Sequence, residues 1–255
     1  SRGNPTVEVD VEPENIPIKI VYEDKDVVVV DKENGMVVHP AAGNPSGTLV
    51  NALLFHIKDL EAIKGEIRPG IVHRIDKETS GLLMVAKNAL ATEDLGNQLR
   101  EKTVTRKYIA LVEGIIPHNL GKINAPIGRD PKNRQRMRCI DGGKTAVTKF
   151  KVLKRFENTT LIECVLETGR THQIRVHMQS IGFPLVGDNR YGCRRIIPKG
   201  ADLETIDVLR NFKRQALHAA KLAFVHPQTG EMMKFATRPP EDFNLLNETL
   251  AEDAR

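Results

Sequence analysis

Tryptophan is absent from this 255-residue chain, tyrosine occurs three times, and aromatic residues make up only 4% of it. That argues against a single-strand nucleic-acid binder built on stacked rings. Cysteine is scarce as well. Cys139, Cys164 and Cys193 are odd in number, far apart and never spaced C-x-x-C. They read neither as a disulfide framework nor as a zinc site, and they fit a reducing cytosol. No signal peptide and no apolar run of 18 residues is present, so a soluble, cytoplasmic protein with no membrane partner is expected. Internal repeats and low-complexity segments are missing too. The chain begins at Ser1 rather than Met and reads as a fragment.

What is present is basic. The formal charge is +5 and the pI about 9.1, which favours an anionic partner. The surplus is concentrated. Arg129–Arg155 holds ten lysines and arginines against Asp130 and Asp141, and its first part, with Asn, Pro and Gly, reads as a mobile loop. A solvated charge run is the usual reading of such a stretch, but an unpaired surplus this large favours phosphate contact, with Arg134, Arg136 and Arg138 as candidates.

The chain is long enough to bury a substantial core as one unit. Ser1–Pro17 is polar and Pro-rich, with a possible short strand at Thr6–Val11. Apolar β-branched runs around EDKD predict a hairpin over 18–30, and GMVVHP, Gly35–Pro40, reads as a short strand. Thr48–His56 predicts a helix capped by Thr48. Ala89–Lys102 predicts an amphipathic helix with Leu90, Leu95 and Leu99 on its apolar face. Strands are expected over 105–114, 146–152 and 160–166, and a hairpin over 217–225 and 231–236, joined by HPQTG. Further helices are expected over 203–212 and from Glu241 onwards. Strands with irregularly placed helices indicate an α+β fold around a mainly antiparallel sheet. Nothing suggests a self-complementary apolar seam, so a monomer is expected.

Two polar stretches carry candidate chemistry. The first is Pro69–Asn88, PGIVHRIDKETSGLLMVAKN. It reads as strand, turn, strand: β-branched Ile71, Val72 and Ile75, then a polar DKETSG turn, then the apolar run Leu82–Ala86. Arg74 and Asp76, two residues apart, share one side of an extended chain. Taken alone, HRID is more simply a turn with a solvated ion pair. The second stretch is Glu167–Ser180, ETGRTHQIRVHMQS. Thr171 would cap a helix running to about Ile181, with Ile174, Met178 and Ile181 buried and His172, Arg175 and Gln179 on another face. With Arg170 just ahead, that gathers cations at a helix start, a setting for anions.

Together these motifs give a resemblance. HRIDKETSGLLMVAKN, RKYIALVEG and TGRTHQIRVHM, in this order, resemble the motifs of the RluA/RluD-type pseudouridine synthases of large-subunit ribosomal RNA, and GMVVHP and RQALHAAKLAFVHPQTGE also match. The resemblance runs from about Ile16 to the end. The family has Leu where this chain has Ile75, and Lys-Pro where it has Lys32–Glu33. The resemblance implies a mixed, mostly antiparallel central sheet flanked by helices and loops, with an RNA cleft across its middle. It implies a catalytic domain over 16–255, with 1–15 a linker from an upstream S4-like RNA-binding domain. It implies isomerisation of uridine to pseudouridine with no metal or cofactor. Asp76 then matches the catalytic aspartate, Arg175 its cationic partner, and Tyr108 the active-site tyrosine. Arg74 would fill the gap left by the extruded base. Arg170 and His172 would meet the RNA backbone.

Rival readings have weaker support. A non-catalytic RNA-binding or ribosome-assembly factor would not need the intact Asp76–Tyr108–Arg175 set. The same reaction on tRNA is an alternative substrate. A zinc deaminase needs H-x-E and P-C-x-x-C spacing, which is absent, and a glycosidase needs two carboxylates where the motifs offer one.

Overall fold

The structure, a computed structural model, describes residues 11–41, 43–63, 70–192, 197 and 200–253. The strand expected at Thr6–Val11 falls outside these residues except for Val11, as do Cys193 and most of the expected linker. Residues 12–14 lie against the first helix: Glu14 N donates to Asn51 O (3.0 Å) and Asn51 Nδ2 to Glu12 O (2.8 Å).

β1 (Lys19–Glu23) and β2 (Val27–Lys32) form the expected hairpin, in register Lys19↔Asp31. Val27–Val30 are fully buried, each contributing about 1.5–3 kcal/mol. Gly35–Pro40 is not a strand. Its carbonyls serve a helix start instead: Leu49 N and Val50 N donate to Val37 O and Val38 O, satisfying amides that the helix itself leaves open. That helix, α1 (Leu49–His56), is capped by Thr48 in a reciprocal box with Asn51, as expected from the Thr. A 3₁₀ turn over Lys58–Ile63 follows.

β3 (Ser80–Ala86) is buried along its whole length. The strand expected ahead of it does not form. Residues 71–76 make no ladder pairing, and His73 Nε2 takes the amide of Met84 (3.1 Å) where a backbone carbonyl would otherwise bond. α2 (Ala89–Glu101) buries Ala91, Leu95 and Gln98, whereas Leu90 is exposed. The helix rotates so that small Ala91, not Leu90, meets the sheet.

β4 (Thr105–Glu113), β5 (Leu120–Asn124), β8 (Val147–Arg155), β9 (Thr159–Leu166), β10 (Leu217–Val225) and β11 (Met232–Ala236) complete a nine-stranded sheet. Its order is β1-β2-β3-β10-β4-β9-β8-β5, with β11 also on β10. Pairing is antiparallel except between β3 and β10, which meet in parallel at Ser80↔His218 and Gly81↔Ala219. The fold is thus α+β around a mostly antiparallel sheet, as the sequence indicated. Gly81 permits the parallel contact. Its φ is +115°, and a Cβ there would stand 2.3 Å from Ala219 O, so only glycine fits.

β6 (Ile127–Arg129) and β7 (Met137–Cys139) form a separate hairpin. The segment read as a loop is therefore anchored at both ends. Its apolar residues Ile127, Met137 and Cys139 pack with Val176 and Tyr191, which holds the basic connection 130–136 over the site.

Alternation along β4 separates two cores. Tyr108, Ala110 and Val112 join α1 and the helix α3 (Gln173–Ser180) on one face. Ile109 and Leu111 face α4 (Leu203–Asn211) and α5 (Glu241–Asp253) on the other. α3 starts differently from expectation. Its cap is His172 in the left-handed region (φ 55°), not Thr171, and Ile181 is exposed beyond its end. No helix among the described residues is long and apolar enough to cross a membrane.

Candidate active site

The loop ahead of β3 is pinned from several sides. Thr79 N donates to Asp76 O, closing a turn at 76–79. Lys77 O accepts from Gly35 N (2.8 Å) and from Lys32 Nζ (3.1 Å). Buried Lys32 also donates to Glu33 O and Met36 O. Burial pushes its pKa down to about 7, while three carbonyls suit its ammonium form. Arg214 Nη1 donates to Glu78 O, and Gln215 Nε2 to Thr79 Oγ1. Asp76 is therefore presented on a rigid turn where β3 parts from β10.

Arg175, from the first turn of α3, meets it. Its Nη1 donates to Asp76 Oδ2 at 2.9 Å. Its Nε and Nη2 form a two-pronged pair with Asp188, at 2.7 and 3.0 Å. Such paired geometry is the strongest form of this bond. Burial works against the arginine charge, yet the bonds to Asp188 and Asp76 outweigh it and hold the pKa above its usual value. Asp188, opposed by burial too, is held below the usual carboxylate range by Arg175 and by the amides of Tyr191 and Arg190. Gly187 (φ +74°) makes the turn that aims it; a Cβ there would stand 2.2 Å from Arg214 O.

His172 lies alongside, its Nε2 3.9 Å from Asp76 Oδ1, too far for a hydrogen bond. Burial lowers its pKa, so Arg175 is the ionic partner of Asp76. His172 Nδ1 bonds Tyr191 Oη at 2.6 Å. The Tyr191 hydroxyl also accepts from Met137 N, and its ring carries the guanidinium carbons of Arg175 at 4.9 Å and Arg136 at 5.3 Å. Tyr191 thus ties the basic hairpin to α3.

Two spaces meet at Asp76. One is a cavity of about 70 Å³ walled by Ile75, Arg106, Tyr108, Leu166, Ile174 and Leu217. The other is a cleft of about 690 Å³ with Arg136, Arg190, Lys213 and Arg214 on its walls. Arg74, Asp76, His172 and Arg175 border both. Burial pushes the Tyr108 phenol up to about 12 against the opposing Arg106 charge, with Asp76 adding a smaller push upward, so it stays neutral.

The sequence candidates are thus brought together unevenly. Asp76, Tyr108, Arg175, Arg74 and His172 converge, and Arg170 borders the small cavity while bonding Thr145 O (2.9 Å). Arg136 reaches the cleft wall. Arg134 and Arg138 line neither space: Arg134 is exposed, and Arg138 lies 4.0 Å from Asp130. Sequence reasoning missed Asp188, Tyr191 and Arg106. For the first two, the polar turn GDNRYG between apolar PLV and Cys193 was the available signal.

A possible cation cluster lies elsewhere. Asp24, Asp26 and His226 place ligand atoms within 4.8 Å of one another, at the far end of β2 from Asp76. His226 Nε2 already donates to Asp24, and its Nδ1 accepts from Gln228 N and Thr229 N. That leaves no imidazole lone pair for a metal.

Residues 26–180 match the family model described as RNA pseudouridylate synthase. Over 245 residues the chain is 58% identical to an uncharacterized RNA pseudouridine synthase of Bacillus subtilis, covering 96% of this chain and 77% of that one. It is 50% identical over 240 residues to the ribosomal large subunit pseudouridine synthase D of Pseudomonas aeruginosa, covering 94% and 74%. Among solved structures, human RNA pseudouridylate synthase domain containing 1 matches with a TM-score of 0.66 and 26% identity, over 94% of this chain and 86% of that one.

Proposed function

The chain belongs to the RNA pseudouridylate synthase family, and on that premise we propose that it isomerises particular uridines of large-subunit ribosomal RNA with Asp76 as the catalytic carboxylate. One observation carries the residue assignment. Asp76 stands where a small cavity opens into a wide basic cleft, its carboxylate bonded by Arg175 at 2.9 Å. That arrangement suits a nucleotide whose base is turned out of its stack into the cavity while its strand follows the cleft. Relatives named for the large ribosomal subunit support the choice of RNA.

In this reading the Asp76 carboxylate attacks C1′. A C1′–O bond forms, the C1′–N1 bond breaks, and its electron pair leaves on uracil. The freed ring turns. C5 then bonds C1′ as the carboxylate departs with its electron pair. C5 loses its proton and N1 gains one, so the product is an isomer. Arg175 keeps Asp76 aimed. Tyr108, a neutral phenol, is suited to packing on the ring rather than to taking a proton. Arg74 at the mouth fills the place the base has left, and Arg170 and His172 meet the backbone.

The test is complementation. Pseudouridines are mapped in ribosomal RNA from cells lacking the protein, then from cells given the wild type or Asp76→Asn. Wild type is expected to restore particular large-subunit positions, and folded Asp76→Asn none. Restoration by Asp76→Asn would remove the catalytic role from that residue.

A further inference from the structure

Arg106 is a buried cation with no carboxylate beside it among the described residues. It is 7% exposed, yet its Nε has no hydrogen bond, and among the described residues no carboxylate pairs with it. It sits on β4 two residues before Tyr108, so both side chains leave the same face. Its guanidinium packs on the backbone of Gly169, where a Cβ would stand 2.7 Å from Nη1. It walls the small cavity together with Tyr108 and Asp76. The neighbouring His73 Nδ1 is also buried without a partner, and both residues line a further recess behind the cavity. Leaving a buried charge uncompensated is costly. A fold that keeps one aimed into a cavity has a use for it there.

We propose that Arg106 binds the detached uracil as an anion, donating N–H bonds to its carbonyl oxygens. This rests on the reading of Asp76 and its cavity given above. When C1′–N1 breaks, the electron pair spreads from N1 onto O2 and O4. A preorganised, largely buried guanidinium stabilises that charge more than it stabilises the neutral uridine, which is what lowers a barrier. Phosphates have other hosts. Arg74, Arg136, Arg190 and Arg214 line the wide cleft, whereas Arg106 borders the small cavity and the recess beside it and not the cleft.

The experiment compares Arg106→Met and Arg106→Lys with wild type and Asp76→Asn on protein-free ribosomal RNA from cells lacking the protein. It reads single-turnover pseudouridine formation, RNA affinity against salt, and thermal midpoint. Arg106→Met is expected to slow turnover by about a hundredfold or more, the scale of one lost anion-stabilising donor. Its RNA affinity should change by less than about threefold, and its thermal midpoint should hold or rise, because an unpaired charge has gone. Arg106→Lys should keep more of the rate than Arg106→Met. A folded Arg106→Met turning over within about threefold of wild type would overturn the inference. So would a roughly tenfold loss of affinity with a salt slope smaller by about one, the mark of a phosphate contact. A rate loss in both variants that tracks a lowered midpoint would make the role structural and overturn it too. Activity lost in Asp76→Asn but kept in both Arg106 variants would sink this inference alone; an inactive wild type would sink the functional reading beneath it.

Discussion

Arg175 and Arg106 are buried to the same degree, 7% exposed each, and both wall the same cavity, but their surroundings are opposite. Arg175 has two carboxylates, and its three hydrogen bonds are all within 3.0 Å. Arg106 has none. Both pay the same kind of desolvation cost. For Arg175 the protein itself offsets it, and the return is geometry: a fixed angle between the Asp76 turn and α3. For Arg106 no carboxylate among the described residues offsets it, so compensation is left to whatever enters. The same residue type thus serves as a strut on one wall and as a receptor on the other.

The comparison breaks first at the strut. Arg175→Ala leaves Asp76 and Asp188 facing each other without a cation. Removing one partner of a buried pair costs about 3–5 kcal/mol, so a large drop in thermal midpoint is expected together with loss of turnover. Arg106→Met should lose turnover without that drop. Melting curves and single-turnover rates on the two variants measure the contrast, and equal stability losses would end it.

Asp188→Asn sharpens the same point with a smaller effect. Asn still accepts the amides of Arg190 and Tyr191, but it no longer answers the guanidinium with charge. A loss of about 1–3 kcal/mol is expected, with slower turnover because Arg175 is aimed less well. If Asp188→Asn turns over at the wild-type rate, Asp188 does not position Arg175.

The rim separates from the interior next. Arg136 lies on Tyr191 at the cleft wall. Arg136→Ala should weaken RNA binding and reduce the log–log salt slope by about one. Arg138→Ala, whose side chain lies near Asp130 away from the cleft, should do less. Binding titrations across salt decide it. An unchanged slope in Arg136→Ala would take the residue out of the interface.

Much of this was legible from sequence where the cause is local. The β1–β2 and β10–β11 hairpins, the Thr48 cap and the alternation along β4 follow from neighbours within a few residues. Asp76, Tyr108 and Arg175 were legible through motifs. The rest depends on distant partners. Residues 71–76 look like a strand, but a side chain, His73, makes the bond that a ladder would have made. Thr171 looks like a cap, but Tyr191, 19 residues beyond His172, holds that imidazole at the helix start instead. Asp188 and Arg106 could not be read because their meaning is relational: one has a partner 13 residues away, and the other has no carboxylate partner among the described residues.

The smallest expected effect tests the charge of Arg106 through a neighbour. His73 is held down to about 3, first by burial and then by the Arg106 charge. His218 is held down to about 4, chiefly by burial. An unfolded histidine takes up its proton near 6.5. Between pH 6.5 and about 4, the unfolded chain therefore binds more protons than the folded one. Stability falls as pH drops through that window. Protonating His73 would also remove the acceptor of the Met84 amide. Depressed carboxylates such as Asp24, held at about 2, lose stability only as pH falls below their unfolded value near 3.8, so pH 6.5 to 5 belongs to the histidines. Arg106→Met removes the charge beside His73 and leaves the burial. His73 should then titrate higher, though still below the free value because its burial remains, while His218 stays where it is. Histidine ring NMR signals followed from pH 6.5 down to 3 in the two proteins check it. The same His73 midpoint in wild type and Arg106→Met would mean that the guanidinium charge is not felt at His73, and that the site around Arg106 is wetter than its burial implies.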